Sequence, residues 1–310
     1  MTAHDTRMPL GQGKLLTIQH RDYTIRETIG LGGSCLAYSA ERLPSEYERE
    51  AGMPVVPVII KEFYPLELVE SITRKPNGEL NVMTTAQGVF DLMKGRFESG
   101  ATEQTAFCVS NGNHSLPLPI FEALNGTVYS AVTLTNGQTL ADCGEPLSVF
   151  EKADMLTSLC NAVKKLHSSG RLYLDLKPSN IFLFEKEPNE SRRVALFDFD
   201  TAISADEITT AVISYSEGWS PYEQLNLRRE DISYTADVYA IGAVYYRLLS
   251  GKKVSDEILN EIVRGRYGFL DEIEVLKNNK RLKEIIGQIL SATLKRLPSK
   301  RAQGVEDIPL

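Results

Sequence analysis

The run Leu172-Tyr173-Leu174-Asp175-Leu176-Lys177-Pro178-Ser179-Asn180-Ile181-Phe182-Leu183-Phe184, followed by Phe197-Asp198-Phe199-Asp200, constrains this chain most. Asp175, Lys177 and Asn180 lie in a loop punctuated by Pro178, with apolar, strand-like stretches on either side. An Asp and an Asn at this spacing, with another Asp one hairpin later, can converge on one point. There Asp175 can accept a hydroxyl proton, Asn180 and Asp198 can hold magnesium, and Lys177 can steady a phosphoryl group. Phosphoryl transfer asks for such a set, because its catalysis is mostly positioning and charge neutralisation. Any one of these residues alone reads as part of a polar hairpin with a proline turn. The spacing taken whole points to chemistry.

At 310 residues the chain has room for two lobes, each with its own core. A net charge of −7 argues against nucleic acid as the main partner. Cys35, Cys108, Cys143 and Cys160 are far apart and form no Cys-x-x-Cys pair, so neither a zinc site nor a disulfide framework is expected. They read as reduced thiols of a cytoplasmic protein. Apolar runs such as Val55–Ile60 fall well short of the about 18 residues that span a bilayer. Met1–Lys14 is polar, carries no signal-peptide core, and reads as a flexible leader. His4, His20 and His114 are scattered and His167 closes a helix as a packing residue, so none suggests a metal site.

Short strands are expected over Leu15–Ile18, Tyr23–Ile29 and Leu36–Ala40, then a charged loop over Leu43–Pro54 with Glu46–Glu50 in solvent, then a buried strand over Val55–Phe63. Residues 66–88 carry the turn signal Pro76-Asn77-Gly78 and suggest an inserted hairpin or loop. Phe90, Met93, Phe97, Ala101 and Cys108 recur at helical intervals within Gln87–Val109. Asn125-Gly126 joins Ile120–Leu124 to Thr127–Leu134 as a hairpin. Beyond it the pattern turns helical: Val149–Leu166 with Ser148 as N-cap, a largely apolar Tyr234–Leu249, then Asp256–Arg264 and Arg281–Leu297, the last stopped by Pro298. A β-rich part followed by an α-rich part makes the chain α+β, with a boundary near Thr133–Asn136.

Gly30, Gly32 and Gly33 form a glycine-rich loop whose backbone can lie close over phosphates. A dinucleotide-binding fingerprint would open a helix. Here Leu36–Ala40 continues as strand, which rejects that reading. Lys61 ends the apolar run Val58-Ile59-Ile60 on the strand after this loop, where its ammonium can reach nucleotide phosphates. It then wants a carboxylate from the following helix, either Glu98 or Glu103. Glu103 is chosen, because Phe107 follows it one turn later whereas Thr102 follows Glu98.

From about Tyr23 to Arg301 the chain resembles the eukaryotic-type protein kinase family, in particular bacterial serine/threonine members. The glycine loop, Lys61, the Asp175–Asn180 loop and Asp198 occur in the family's order. Ser220-Pro221-Tyr222-Glu223 is similar to its A-P-E segment, and Asp237-Val238-Tyr239-Ala240-Ile241-Gly242 to the start of its buried helix. Arg301 resembles the late arginine that pairs with the A-P-E glutamate, here Glu223. The resemblance implies a bilobal protein-kinase-like fold: a β-rich N-lobe with one helix over residues 15–133 and a mostly α-helical C-lobe over residues 134–310. It implies Mg2+ and ATP, with adenine held by the hinge Thr133–Thr135 under the gatekeeper Val132, between Ala37 and Ile59 above and Phe182 below. It also implies a protein substrate and control by a regulatory partner or flanking domain.

Several positions depart from the family pattern. Cys35 replaces the third loop glycine, and Ala37 and Ile59 exchange sizes in a roughly volume-conserving way. The H-R-D triplet reads Tyr173-Leu174-Asp175, so the arginine that would bind an activation-loop phosphate is a leucine. D-F-G reads Asp198-Phe199-Asp200, which adds a third carboxylate. The resemblance implies a serine/threonine protein kinase, with Lys177 two residues after the base as in serine/threonine enzymes. Two rivals stay open: a pseudokinase scaffold, and a small-molecule phosphotransferase of the aminoglycoside type. Ser220–Glu223, Asp237 and Arg301 argue against the latter. Trp219 reads equally as a peptide-groove or a packing residue.

Overall fold

A computed structural model describes residues 5–110, 118–134, 136–144, 146–185, 193–211 and 213–310, apart from the side chains of 108–110 and 275. The chain divides into two compact units, Met1–Thr135 and Asn136–Leu310.

The first unit runs β1 (Leu15–Ile18), β2 (Arg21–Leu31), β3 (Cys35–Arg42), α1 (Glu46–Glu50), β4 (Val56–Phe63), a 3-10 turn (Leu66–Ser71), β5 (Ile72–Arg74), β6 (Leu80–Val82), α2 (Gln87–Ser110), β7 (Ile120–Leu124) and β8 (Thr127–Thr133). Six of the strands form one antiparallel sheet in the order β1-β2-β3-β4-β8-β7. Alternation along β4 buries Val58, Ile60 and Glu62 and leaves Ile59 and Lys61 on the opposite, half-exposed face. Helix α2 covers the buried face near Phe63, whose ring lies 5.2 Å from Phe90 and 5.6 Å from Phe97. At the β7–β8 turn Asn125 (φ 53°) and Gly126 (φ 73°) both take the left-handed region that a two-residue hairpin loop demands.

The most unusual packing surrounds Glu62. Its fully buried carboxylate accepts from Tyr38 Oη (2.6 Å), Tyr129 Oη (2.5 Å) and both terminal nitrogens of Arg74 (2.9 and 2.6 Å). Arg74 belongs to the inserted β5–β6 hairpin and also donates to the carbonyls of Met8 (2.6 Å) and Gly78 (2.8 Å). One ion pair thus fastens the insertion and the N-terminal segment to the central strands.

Three expectations change here. Residues 5–14 are a packed arm and not a flexible leader: Arg7 and Leu10 are each 5% exposed. Arg7 Nη1 donates to the Tyr64 carbonyl (2.6 Å), and the Leu10 N–H donates to Tyr38 Oη (3.1 Å). The sequence could not show this, because the contacts that dock the arm, to Tyr64 and Tyr38, lie far along the chain. The charged loop after Leu43 contains helix α1, capped by reciprocal bonds between Ser45 and Glu48. The Ser-x-x-Glu signature of that capping box is present in the sequence. The final helix ends at Thr293, before Pro298, because Arg301 donates to the carbonyls of Lys295 (2.7 Å) and Arg296 (3.2 Å) where further helical turns would otherwise form.

The second unit contains β9 (Gly137–Thr139), α3 (Val149–Ser168), β10 (Arg171–Leu172), β11 (Ile181–Phe184), β12 (Val194–Leu196), β13 (Ile203–Ser204), α4 (Tyr222–Leu225), α5 (Tyr234–Ser250), α6 (Asp256–Val263) and α7 (Lys280–Thr293). Ser148 and Glu151 make the capping box that starts α3. Helix α5 is buried along nearly its whole length, with α3 and α7 packed against it. The strands are short: β12-β11-β9 form one small sheet and β10-β13 another. They frame the loops on which the polar residues converge.

Candidate active site

The loop between β10 and β11 is built around Asp237, near the N-terminus of α5 and fully buried. Its two oxygens accept the backbone N–H groups of Leu174 (2.8 Å) and Tyr173 (2.8 Å), and His167 Nε2 lies 2.9 Å from Oδ2. Leu174 adopts φ 64°, a left-handed conformation that costs a non-glycine residue about 1–3 kcal/mol. Asp237 holds this strained turn from one side. Gln224 of α4 holds it from the other, donating to the Leu174 carbonyl (2.5 Å). The strain turns the next residue, Asp175, toward its partners.

Three donors converge on the Asp175 carboxylate: Ser216 Oγ on Oδ1 (2.6 Å), and Lys177 Nζ (2.7 Å) and Asn180 Nδ2 (2.9 Å) on Oδ2. Asn180 Nδ2 also bonds the Asp175 carbonyl (3.0 Å), closing the loop on itself. Lys177 Nζ reaches Ser216 Oγ as well (3.1 Å). The segment carrying Ser216 is anchored in turn: Ser216 N–H donates to Ser220 Oγ (2.9 Å), and Gln224 donates to the Ser214 carbonyl (2.5 Å). Below it Glu223 and Arg301 form a buried two-pronged ion pair, with the guanidinium 5.0 Å from the Tyr239 ring centroid.

Asp198 follows the β11–β12 hairpin. The N–H of Phe197 bonds the Asn180 carbonyl (3.3 Å), which brings the ends of the two predicted metal-binding segments together. Asp198 itself has φ 67°, the second left-handed non-glycine residue here. Tyr173 ties the two loops: its hydroxyl donates to the Phe197 carbonyl, and its ring meets Phe199 edge-on at 5.4 Å. Burial first, and then the charges of Asp198, Asp175, Asp200 and Asp237, push the Tyr173 phenol well above its ordinary value, so it stays a donor. Asn180 and Asp198 offer one amide and one carboxylate oxygen. That sparse hard-oxygen set suits a magnesium ion completed by phosphate and water. Among the described residues no group of three or more His, Cys, Asp or Glu side chains is arranged to hold a metal.

In the first unit the strand register sets Ala37 opposite Lys61 and Ile59 opposite Val132, so these four predicted residues share the half-exposed face of β3, β4 and β8. Thr133 ends β8 and pairs with Val58. Gly30 lies one residue before the end of β2, paired with Ala37, while Gly32 and Gly33 form the tip of the β2–β3 hairpin, where the Gly33 carbonyl accepts from the Leu66 N–H (2.8 Å). Glu103 is half-buried on α2. Phe182 lies on β11 of the second unit, paired with Thr139 and Ala195. Thr135, His4 and His114 lie outside the described residues.

A family model described as "Protein kinase domain" matches residues 120–308. The chain belongs to the protein kinase domain family. The matched stretch holds every loop residue around Asp175, while the glycine loop, Lys61 and Glu103 precede it. The serine/threonine-protein kinase Pkn1 of Myxococcus xanthus is 30% identical over 141 residues, 44% of this chain and 18% of that protein. Ribosomal protein S6 kinase 2 alpha of Xenopus laevis is 23% identical over 259 residues, 79% of this chain and 30% of that protein. The chain thus spans less than a third of the length of these relatives. The solved structure of the PpkA-294 apo form aligns over 97% of this chain and 98% of its own, with a TM-score of 0.66 and 22% identity. The fold is that of a protein kinase, α+β as expected. No helix among the described residues is long and apolar enough to cross a membrane.

Sequence reasoning missed three contributors to the kinase loop. Asp237 does lie at the start of the buried helix, but its anchoring of Tyr173 and Leu174 spans more than 60 residues of sequence. His167, read as packing, does stack on Tyr234 at 4.5 Å but also orients Asp237. Ser216 is a direct partner of Asp175 from 41 positions away, a contact that no local pattern signals. The Glu223–Arg301 pair stands as the resemblance implied.

Proposed function

We propose that this chain is the catalytic region of a serine/threonine protein kinase, moving the γ-phosphoryl group of ATP to a protein hydroxyl. The observation that carries this reading is the Asp175 carboxylate, fixed by Lys177, Asn180 and Ser216 on a strained, doubly anchored loop. A carboxylate so oriented accepts the proton of an incoming serine or threonine hydroxyl as that oxygen attacks phosphorus. Lys177, already beside it, neutralises charge on the transferring group. Lys61, held by Glu103, positions the α- and β-phosphates beneath the backbone of Gly30, Gly32 and Gly33. Ala37, Ile59, Val132, Thr133, Thr135 and Phe182 enclose adenine. Asn180 and Asp198 would hold magnesium, which supplies charge neutralisation at the phosphates. In this reading residues 15–133 and 134–310 are the two kinase lobes, the protein works in the cytoplasm, and it answers to a regulatory partner or flanking domain.

The test is Asp175→Asn assayed with labelled Mg-ATP and a generic basic protein. Nucleotide binding should persist while the rate falls by about 10²–10⁴, the usual worth of a positioned general base. If wild type and variant bind ATP equally and neither transfers phosphate, the chain is a nucleotide-binding scaffold instead.

A further inference from the structure

The second unit carries a groove of about 860 Å3 immediately beside the Asp175 loop. Lys177 and Ser179 of that loop line it together with Lys152 of α3, Trp219, Arg247 of α5 and Lys253, set among apolar and small residues such as Leu140 and Leu147. None of the described lining residues is acidic, in a chain whose acidic residues outnumber its basic ones by 41 to 34. Glu145 lies outside the described residues. Lys177 is already paired with Asp175. Lys152, Arg247 and Lys253 have no carboxylate within ion-pair distance among the described residues.

Lys253 is also held in place. Its stem packs over Gly218, where a β-carbon would fall 2.7 Å from Lys253 Cδ. Its ammonium lies 5.6 Å from the Trp219 ring centroid and donates to the Glu217 carbonyl (3.2 Å). Gly218 has φ 83°, so both its conformation and its missing side chain favour glycine. Lys152 is partly desolvated, and burial lowers its ammonium below the usual lysine value. A bound carboxylate would offset that penalty. A fixed cation next to a polarisable ring, with two more lining the same groove, is a preorganised receptor for negative charge.

We infer that this groove selects protein substrates carrying aspartate or glutamate beside the accepting hydroxyl, read by Lys253, Arg247 and Lys152. The inference rests on the kinase reading for the hydroxyl, but the charge preference is a property of the groove alone. Cations near the end of α5 also complement the helix dipole. A role confined to that would show in stability and not in choice of peptide.

Three labelled serine peptides, flanked by Asp/Glu, by Ala or by Lys, are titrated against the whole chain by fluorescence anisotropy without nucleotide. A fourth carries phosphoserine in place of the acidic residues. The acidic peptide should bind about ten-fold more tightly than the alanine peptide, the worth of one charge-assisted hydrogen bond partly open to water. The lysine peptide should bind weakest. Lys253→Glu and Arg247→Glu should reverse the order, and the remote Lys280→Glu should leave it unchanged. Lys253→Gln, which keeps the stem, stands in if the glutamate variant fails to fold, and should erase the acidic preference. Equal binding of all peptides, a preference that survives both reversals, or binding of the phosphopeptide alone overturns the inference. The same peptides with Mg-ATP separate the two claims. Acidic selectivity without phosphate transfer refutes the kinase reading only, and transfer without acidic selectivity refutes the groove only.

Discussion

Glu62 in the first unit and Asp237 in the second are both fully buried carboxylates, yet they do different work. Glu62 is met by side chains: two tyrosine hydroxyls and a guanidinium, drawn from β3, β8 and the inserted hairpin. Asp237 is met chiefly by backbone, the N–H groups of two consecutive loop residues. The first joins pieces of fold that are separate in sequence. The second bends a loop into a conformation it would not adopt unaided. A buried charge can thus act as a fastener or as a template, and its partners reveal which.

The largest effect should come from breaking the fastener. Arg74→Ala leaves Glu62 buried without its counter-charge, and should cost about 3–5 kcal/mol, as removal of one member of a buried pair usually does. Chemical denaturation followed by circular dichroism measures it. A loss below about 1 kcal/mol would mean that water or the tyrosines suffice for Glu62. Replacing both partners, Glu62→Leu with Arg74→Met, should recover most of the loss, because no charge is then stranded. Trp219 is the only tryptophan and lies in the second unit, so its fluorescence reports whether the damage stays local.

Asp237→Asn should weaken stability less, by about 2 kcal/mol, since an amide oxygen can still accept one of the two N–H groups. Its phosphoryl-transfer rate should nevertheless fall at temperatures where the variant is fully folded, whereas Arg74→Ala should keep its rate per folded molecule. Equal rates for the two variants would erase the distinction between fastener and template.

Ser216→Ala removes one hydrogen bond to Asp175 and should cost about 1 kcal/mol. Transfer should slow several-fold with nucleotide affinity unchanged. Ser216→Thr, which keeps the hydroxyl, should restore the rate; failure to do so would show that the bond is incidental.

The smallest effect is alkaline. Burial, followed by the charge of Glu62, raises the phenols of Tyr38 and Tyr129 far above their ordinary value. Below pH 10 both folded and unfolded chains keep these protons, so the stability they confer is fully present. As pH rises past 10 the unfolded chain releases them first, and stability falls by about 0.4 kcal/mol per phenol at pH 10 and faster beyond. Tyr129→Phe should shrink that slope. An unchanged slope would move the alkaline sensitivity to the other buried phenols, Tyr173, Tyr239 and Tyr245 among them, which burial shifts the same way.

What the sequence determined by itself was local or periodic. The apolar run that becomes β4, the Asn125-Gly126 turn, the Ser148 cap and the helical spacing of Phe90 and Phe97 are short-range constraints, readable without the fold. So was the order of chemically loaded residues from Gly30 to Arg301, because the covalent chain carries order. The tertiary structure alone decided which distant groups meet. It chose Arg74 for Glu62, Asp237 for Tyr173 and Leu174, Ser216 for Asp175, and the core beneath Arg7 and Leu10. It also ended the last helix at Thr293 through Arg301. Apart from the Arg301 bonds, which reach back five and six positions, these contacts join residues from a dozen to more than sixty positions apart, where local propensity has no influence. Only the low dielectric of a packed interior makes each buried polar group demand its specific partner.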